Sequence, residues 1–279
     1  MPQDAMSQVD VNGTQLAARL QGAGSPVVLV HGSASDHRSW DCQLAAFAAR
    51  HRTLNYSRRH HRPNPPIGPD EAYDFETHRA DLETLVGTLT SPPAAIVGHS
   101  YGAVVALALA LTRRDLVSAL VLVEPPCFTL FTSDPPRPSE MLRMIATRPR
   151  LALPLLRFGA TGMGPARRAA RAGEMERAIA VLGPAVLGRG TFDRLSGARR
   201  AQMHENLVAA ELTGSGLPRI DPAAVARLFC PALVLRGTDS PAVMRRLAAA
   251  LAGLLPEAEL RDVGGASHIV HEDAADAFN

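Results

Sequence analysis

Gly98-His99-Ser100-Tyr101-Gly102 stands between the apolar run Ala94-Ala95-Ile96-Val97 and an alanine- and leucine-rich run from Ala103 to Leu111, and this placement decides the fold. The first run follows Pro92-Pro93 and is short and apolar, as a buried parallel strand is. The second closes at Arg113-Arg114-Asp115 and has the composition of a buried helix. A Gly-x-Ser-x-Gly turn joining a strand to a helix is a nucleophile elbow. Its glycines permit a tight, strained turn that lifts the serine hydroxyl clear of the sheet. Ser100 is therefore the candidate nucleophile.

Two further segments fall where the same chemistry needs them. Val27-Val28-Leu29-Val30 reads as a buried strand running into His31-Gly32-Ser33, with Trp40 shortly after. Near the C-terminus Ala258 to Val263 reads as another strand, followed by Gly264-Gly265-Ala266-Ser267-His268. A histidine on a turn after the last strand can reach over the sheet to take the serine proton, so His268 is the candidate base.

In this order the segments resemble the α/β-hydrolase family, from about Val27 to Phe278. The resemblance implies an α/β fold with a mostly parallel central sheet flanked by helices and a helical cap insertion. Core residues would be 1–126 and 227–279, and the cap 127–226. It also implies an oxyanion hole built from the backbone N–H groups of Ser33 and Tyr101. Most members carry the acid in a Gly-x-x-Asp turn after the strand that follows the cap. Here that strand is Ala232-Leu233-Val234-Leu235-Arg236, and its turn reads Gly237-Thr238-Asp239-Ser240, which puts Ser240 at the acid position and Asp239 one residue early. The rival is Glu124, at the end of Ser118 to Val123 and before Pro125-Pro126. Some branches, haloalkane dehalogenases among them, place the acid there. A carboxylate at the end of a central apolar strand also needs a partner, and an imidazole N–H is the one this fold offers. Glu124 is favoured and Asp239 is the alternative.

The region from Cys127 to about Ala226 is divided by Pro135-Pro136, Pro138, Pro149 and Pro154 into helical pieces bearing Met141, Leu142, Met144, Leu151, Leu153, Leu155, Leu156 and Phe158. His31, Trp40, Met141 and Met144 are the candidate pocket residues, although core packing is the more ordinary role for such apolar side chains. His99 is expected to pack beneath the elbow, and His271 to be a solvent-facing alternative to His268. Val9 to Ala18, with Asn12-Gly13 as its turn, reads as an edge hairpin, and Ala242 to Leu255 as an amphipathic helix.

The 279 residues are 46% apolar with 22 Gly and 22 Pro, which suits one large α/β domain with an insertion. A net charge of +2 exerts no general pull on nucleic acid. All basic residues are Arg, and they cluster in Arg58-Arg59-His60-His61-Arg62, read as a solvated loop or as an anion-attracting rim beside the site. No apolar run reaches the roughly 20 residues a membrane span needs. The start Met1-Pro2-Gln3-Asp4 lacks signal-peptide character, and three scattered cysteines suit a reducing compartment, so a cytoplasmic monomer or homodimer is expected. Neither a cofactor motif nor metal-ligand spacing occurs: Gly22-x-Gly24 precedes a strand, and no His-x-x-x-His or Cys-x-x-Cys is present.

The expected function is hydrolysis of an ester or lactone bond of a largely apolar small molecule through an acyl-enzyme on Ser100. The alternative is a lyase or cyclase of secondary metabolism using the same Ser/His pair, and a slow-turnover ligand receptor is a third. Halide displacement and epoxide opening are disfavoured because those relatives carry Asp at the elbow. Cofactor-free peroxide chemistry stands as a side activity.

Overall fold

A computed structural model describes residues 6–68 and 70–279, so the Met1–Asp4 start lies outside the described residues. The chain opens with a hairpin, β1 (Ser7–Val11) and β2 (Thr14–Gln21), whose two turn residues, Asn12 and Gly13, both have positive φ (44° and 78°). That is the conformation a two-residue turn needs to match strand twist. There follow β3 (Pro26–Val30), α1 (Asp41–Ala48), β4 (Arg52–Tyr56), α2 (Phe75–Leu89), β5 (Ala94–His99), α3 (Tyr101–Thr112) and β6 (Val117–Val123). After β6 the insertion contributes α4 (Pro138–Thr147), α5 (Pro149–Phe158), α6 (Gly164–Arg171), α7 (Met175–Leu187), α8 (Arg189–Arg194), α9 (Gly197–Asn206), α10 (Ala209–Thr213) and α11 (Pro222–Val225). The sheet resumes with β7 (Ala232–Gly237), α12 (Ala242–Ala252) and β8 (Ala258–Val263).

The eight strands lie in the order β1-β2-β4-β3-β5-β6-β7-β8, antiparallel at β1–β2 and β2–β4 and parallel elsewhere. From β3 the chain moves outward to β4 and then returns to place β5 on the other side. The strand order therefore reverses between β3 and β5, and ligands of open α/β sheets bind at such a point, beyond the strands' carboxyl ends. Helix α3 is apolar almost all round and buried along most of its length, as a helix covered on every side must be. No helix among the described residues is long and apolar enough to cross a membrane.

The prolines of the insertion divide it into helices as expected at Pro138 and Pro149 but not at Pro154. Pro138 and Pro149 open α4 and α5 in their first turns, where the missing N–H costs nothing, and Pro154 lies inside α5. The apolar residues of these two helices are divided between core and solvent. Met144, Leu151 and Leu155 join the main core, whereas Leu142 and Leu153 are exposed.

The basic stretch after β4 is neither a solvated loop nor a rim. Arg58, His61 and Asn64 are buried, and Asn64 pins the loop by accepting from Ala17 N–H (2.7 Å) and donating to the carbonyls of Ser57 (2.8 Å) and Arg58 (3.0 Å). Arg59 pairs with Asp81 at 2.9 Å.

Candidate active site

The elbow is dictated by close backbone approach. Ser100 has φ 50° and ψ −118°, and its N–H donates to Val123 O at 2.8 Å, tying the turn to the end of β6. A Cβ on Gly98 would lie 2.6 Å from Ala103 Cα, and one on Gly102 would lie 2.3 Å from Val30 O. Only glycine fits either position, so α3 can leave β5 directly against β3. Helix α3 starts at Tyr101, and its first N–H groups have no acceptor within the helix and carry its positive dipole end. Ser100, Tyr101, Ser33 and His268 all line one cavity between the sheet's carboxyl edge and the insertion.

Glu124 turns out of β6 with φ 51°. Its carboxylate is fully buried; Oε1 accepts from Gly237 N–H at 2.8 Å, and Oε2 accepts from His268 Nδ1–H at 3.1 Å. Nδ1 thus carries the ring proton, which leaves Nε2 as the basic nitrogen. Nε2 is buried and without a partner on the nitrogen opposite Glu124, the arrangement a general base requires. Asp239, by contrast, is exposed and accepts only from the neighbouring Thr238 hydroxyl (3.2 Å), while its backbone N–H donates to Ala266 O (2.9 Å). The structure brings Glu124, and not Asp239, to the histidine.

His99 packs beneath the elbow as expected, donating from Nε2 to His268 O at 2.9 Å. Its Nδ1 would lie 2.8 Å from a Cβ on Gly32, so Gly32 is needed there. His271 is not solvent-facing. It is fully buried, its ring lies 4.2 Å from Trp40, and burial pushes it down to about 3. It does not line the cavity.

None of the four expected pocket residues lines the cavity. Trp40 is buried with Val27, Leu29 and Val97 on the far face of the sheet, and His31 is held by Arg58 behind the loop. Met144 is in the main core, and Met141 packs against it. Composition marked these residues as apolar or aromatic but not which helix face turns inward. The apolar lining comes instead from α5 to α10, including Phe158, Met163, Ile179, Leu182, Met203 and Leu212. The cavity is partly open to solvent and has a volume of about 150 Å3, close to the space that accepts one benzene-sized group.

Arg58 is the residue that sequence reasoning missed. Its Nε donates to His31 O (3.2 Å), and its NH2 donates to Gly32 O (3.0 Å) and to Glu211 Oε1 (3.1 Å). NH1 reaches the Tyr73 hydroxyl at 2.9 Å, and the guanidinium lies 4.4 Å from the Tyr101 ring centre. Gly32 O belongs to the same peptide plane as Ser33 N–H, and the two point in opposite directions across a trans bond. Holding that carbonyl therefore fixes the direction of the Ser33 N–H. Burial alone would depress the guanidinium, but Tyr73 and Glu211 hold it above its ordinary value. The available signal was position: Arg58 follows the carboxyl end of a parallel strand, where site residues gather.

Other polar contacts seat the insertion. Asp36, fully buried, accepts from Gln202 (2.8 Å), Asn206 (2.7 Å) and the guanidinium and backbone N–H of Arg38 (2.5 and 2.9 Å). Burial raises its pKa, but the Arg38 side chain first, then the Arg38 N–H and Gln202, hold it well below the usual carboxylate range. Arg199 donates from NH1 to Ala34 O at 3.1 Å and pairs with Glu272 at 3.0 Å. Helix α9 is thus joined to the loop after β3.

Comparison with known proteins agrees with this architecture. A hydrolase of Bacillus subtilis named YraK, itself uncharacterised, is 29% identical over 117 residues, which are 42% of this chain and 43% of that one. The matches span 38% to 43% of the length of the first curated relatives. Among solved structures, the enol-lactonase of Burkholderia xenovorans LB400 superposes with a TM-score of 0.74 at 22% identity, covering 98% of this chain and 96% of the other. A thermophilic esterase of Thermogutta terrifontis gives 0.72 at 22% identity, covering 98% and 93%. A model of the alpha/beta hydrolase family matches residues 27–279, nearly the whole chain, and the chain belongs to that family.

Proposed function

We propose that the protein hydrolyses an ester or lactone bond of a small, largely apolar substrate through an acyl-enzyme on Ser100, with the insertion acting as the cap. The observation that carries this reading is the buried Glu124–His268 pair, whose unpartnered Nε2 belongs to the same cavity as the strained Ser100. His268 takes the Ser100 proton as Oγ attacks the carbonyl, and Glu124 stabilises the imidazolium that forms. The N–H groups of Ser33 and Tyr101 hold the oxyanion, and collapse of the tetrahedral species returns the proton through His268 to the leaving alcohol. Water then repeats the sequence on the acyl-enzyme. The cavity volume limits the buried group to a short chain or single ring unless the cap moves.

Intact-mass analysis after exposure to a fluorophosphonate, with wild type beside Ser100→Ala, tests this. One adduct on wild type and none on the variant is expected, with turnover of short p-nitrophenyl esters falling by about 10^6 in the variant. Folded wild-type protein that takes up no label would remove the acyl-enzyme mechanism. Product mass separates hydrolysis, which adds one water, from elimination or ring closure, which does not.

A further inference from the structure

The insertion side of the cavity carries a second buried carboxylate. Glu211 lies on α10, its side chain is 3% exposed, and it lines the same cavity as Ser100 and His268. Its two oxygens are used unequally: Oε1 accepts from Arg58 NH2 at 3.1 Å and from the Tyr73 hydroxyl at 2.9 Å, whereas Oε2 is buried and has no partner. The other carboxylate of this lining, Asp134, is satisfied through both oxygens by Arg167 (2.9 and 3.0 Å), with Leu217 N–H a further donor at 3.0 Å. A buried acceptor left empty costs about 1–3 kcal/mol, more when charged, so an unpartnered acceptor on a residue that lines a cavity is a position that a ligand can fill.

We infer that Glu211 Oε2 is a specificity subsite for a hydrogen-bond donor, so that the substrate carries a neutral hydroxyl or N–H on the group occupying this cavity. The donor is neutral because Arg58 already balances the Glu211 charge and Arg167 balances Asp134, so a cationic group would leave a surplus positive charge in a lining that also carries Arg199. The inference rests on reading this cavity as the substrate site, and it narrows the substrate class to hydroxylated or amide-bearing esters and lactones. Phe158, Met163 and Leu212, in the same lining, bring no side-chain donor of their own, and an unfunctionalised apolar group leaves Oε2 unpaired and is the poorer occupant.

Titration calorimetry with phenol, anisole, toluene and benzaldehyde on Ser100→Ala protein, which needs no chemistry, tests the subsite. Phenol is expected to bind more tightly than anisole, whose oxygen has no proton to donate. In Glu211→Gln the amide oxygen keeps the Arg58 and Tyr73 bonds, so its NH2 occupies the empty position and turns an acceptor into a donor. The phenol-to-toluene preference should then fall by roughly 10- to 150-fold, the range for a hydrogen bond to a charged group, and benzaldehyde should gain over toluene. Equal binding of phenol and anisole, no binding of phenol, or a phenol preference that survives in folded Glu211→Gln would overturn the subsite; in the last case His268 Nε2 is the acceptor. The phenol–anisole comparison uses the native Glu211 and decides the question even where the Gln variant does not fold. A donor preference without fluorophosphonate labelling sinks the ester reading and keeps the subsite; labelling without a donor preference does the reverse.

Discussion

The two walls of the cavity hold their buried carboxylates by different means. On the sheet wall Glu124 is fixed by backbone and near-backbone geometry: the β6–β7 register aligns Val123 with Leu235, Glu124 N–H donates to Leu235 O at 2.9 Å, and Gly237 N–H supports the carboxylate. On the insertion wall Glu211 is held by side chains from distant loops, Arg58 and Tyr73, and one of its oxygens is left open. The first arrangement is complete before any ligand arrives and suits a group whose task is to hold an imidazole still. The second is incomplete and suits recognition.

Breaking the sheet wall should have the largest effect. Glu124→Gln is expected to lower kcat about 10^4-fold, as other triad carboxylate-to-amide changes do by favouring the wrong histidine tautomer. Asp239→Asn, at an exposed carboxylate outside the cavity, should leave kcat within about twofold. Equal losses in a steady-state assay would undo the distinction between these two acids. On the insertion wall, Arg58→Met leaves Glu211 without its cation and takes one donor from the Gly32 carbonyl, which keeps His31 Nδ1–H at 2.8 Å. A loss of about 3–5 kcal/mol in denaturant unfolding is expected, the usual result of removing one partner of a buried pair. A loss below about 1 kcal/mol would show the pair to be better solvated than its burial implies.

A smaller, pH-dependent effect samples both walls. Burial holds His31, His61, His78 and His99 well below the ordinary histidine value and pushes His271 to about 3. In the unfolded chain each titrates near ~6.5. Between those values the unfolded state binds more protons, so stability is full above about pH 6.5 and is lost as pH falls, by about 1.4 kcal/mol per pH unit for each histidine. Unfolding melts across this range should show the slope, and His78→Phe should flatten it by one proton. An unchanged slope would mean that His78 is protonated in the fold.

The sheet wall was legible in the sequence because its signals are local. Apolar strands, the Gly98–Gly102 elbow and the histidine turn each lie within a few residues, and chain order did the rest. Glu124 could be preferred to Asp239 because the resemblance includes branches that place the acid after this strand, and a strand-end carboxylate needs a partner such as an imidazole N–H. The insertion wall was not legible in this way. Arg58 meets Glu211 across 153 positions, and nothing near Glu211 distinguishes it from a surface carboxylate. The basic loop misled for the same reason: five cationic or titratable side chains in a row suggest solvent, but the carbonyls of His31 and Gly32, two acidic partners and Tyr73 absorb two of the arginines. The displacement of Trp40, Met141 and Met144 from the pocket shows that apolar composition reports burial without direction.

The bonds from α9 to the loop after β3 have a mechanical consequence. Arg199 grips Ala34, and Gln202 and Asn206 grip Asp36, so the helix that roofs the cavity is fastened to the loop that also carries Ser33. On the proposed function, where Ser33 N–H holds the oxyanion, the roof is therefore bonded to the loop of that donor. On that reading, a guest too large for the roof to settle over it would load the loop and misaim the Ser33 N–H, and bulky esters are expected to lose kcat more than they gain in KM in a steady-state series. Size selection is in that case exercised on the rate of bond cleavage, downstream of entry.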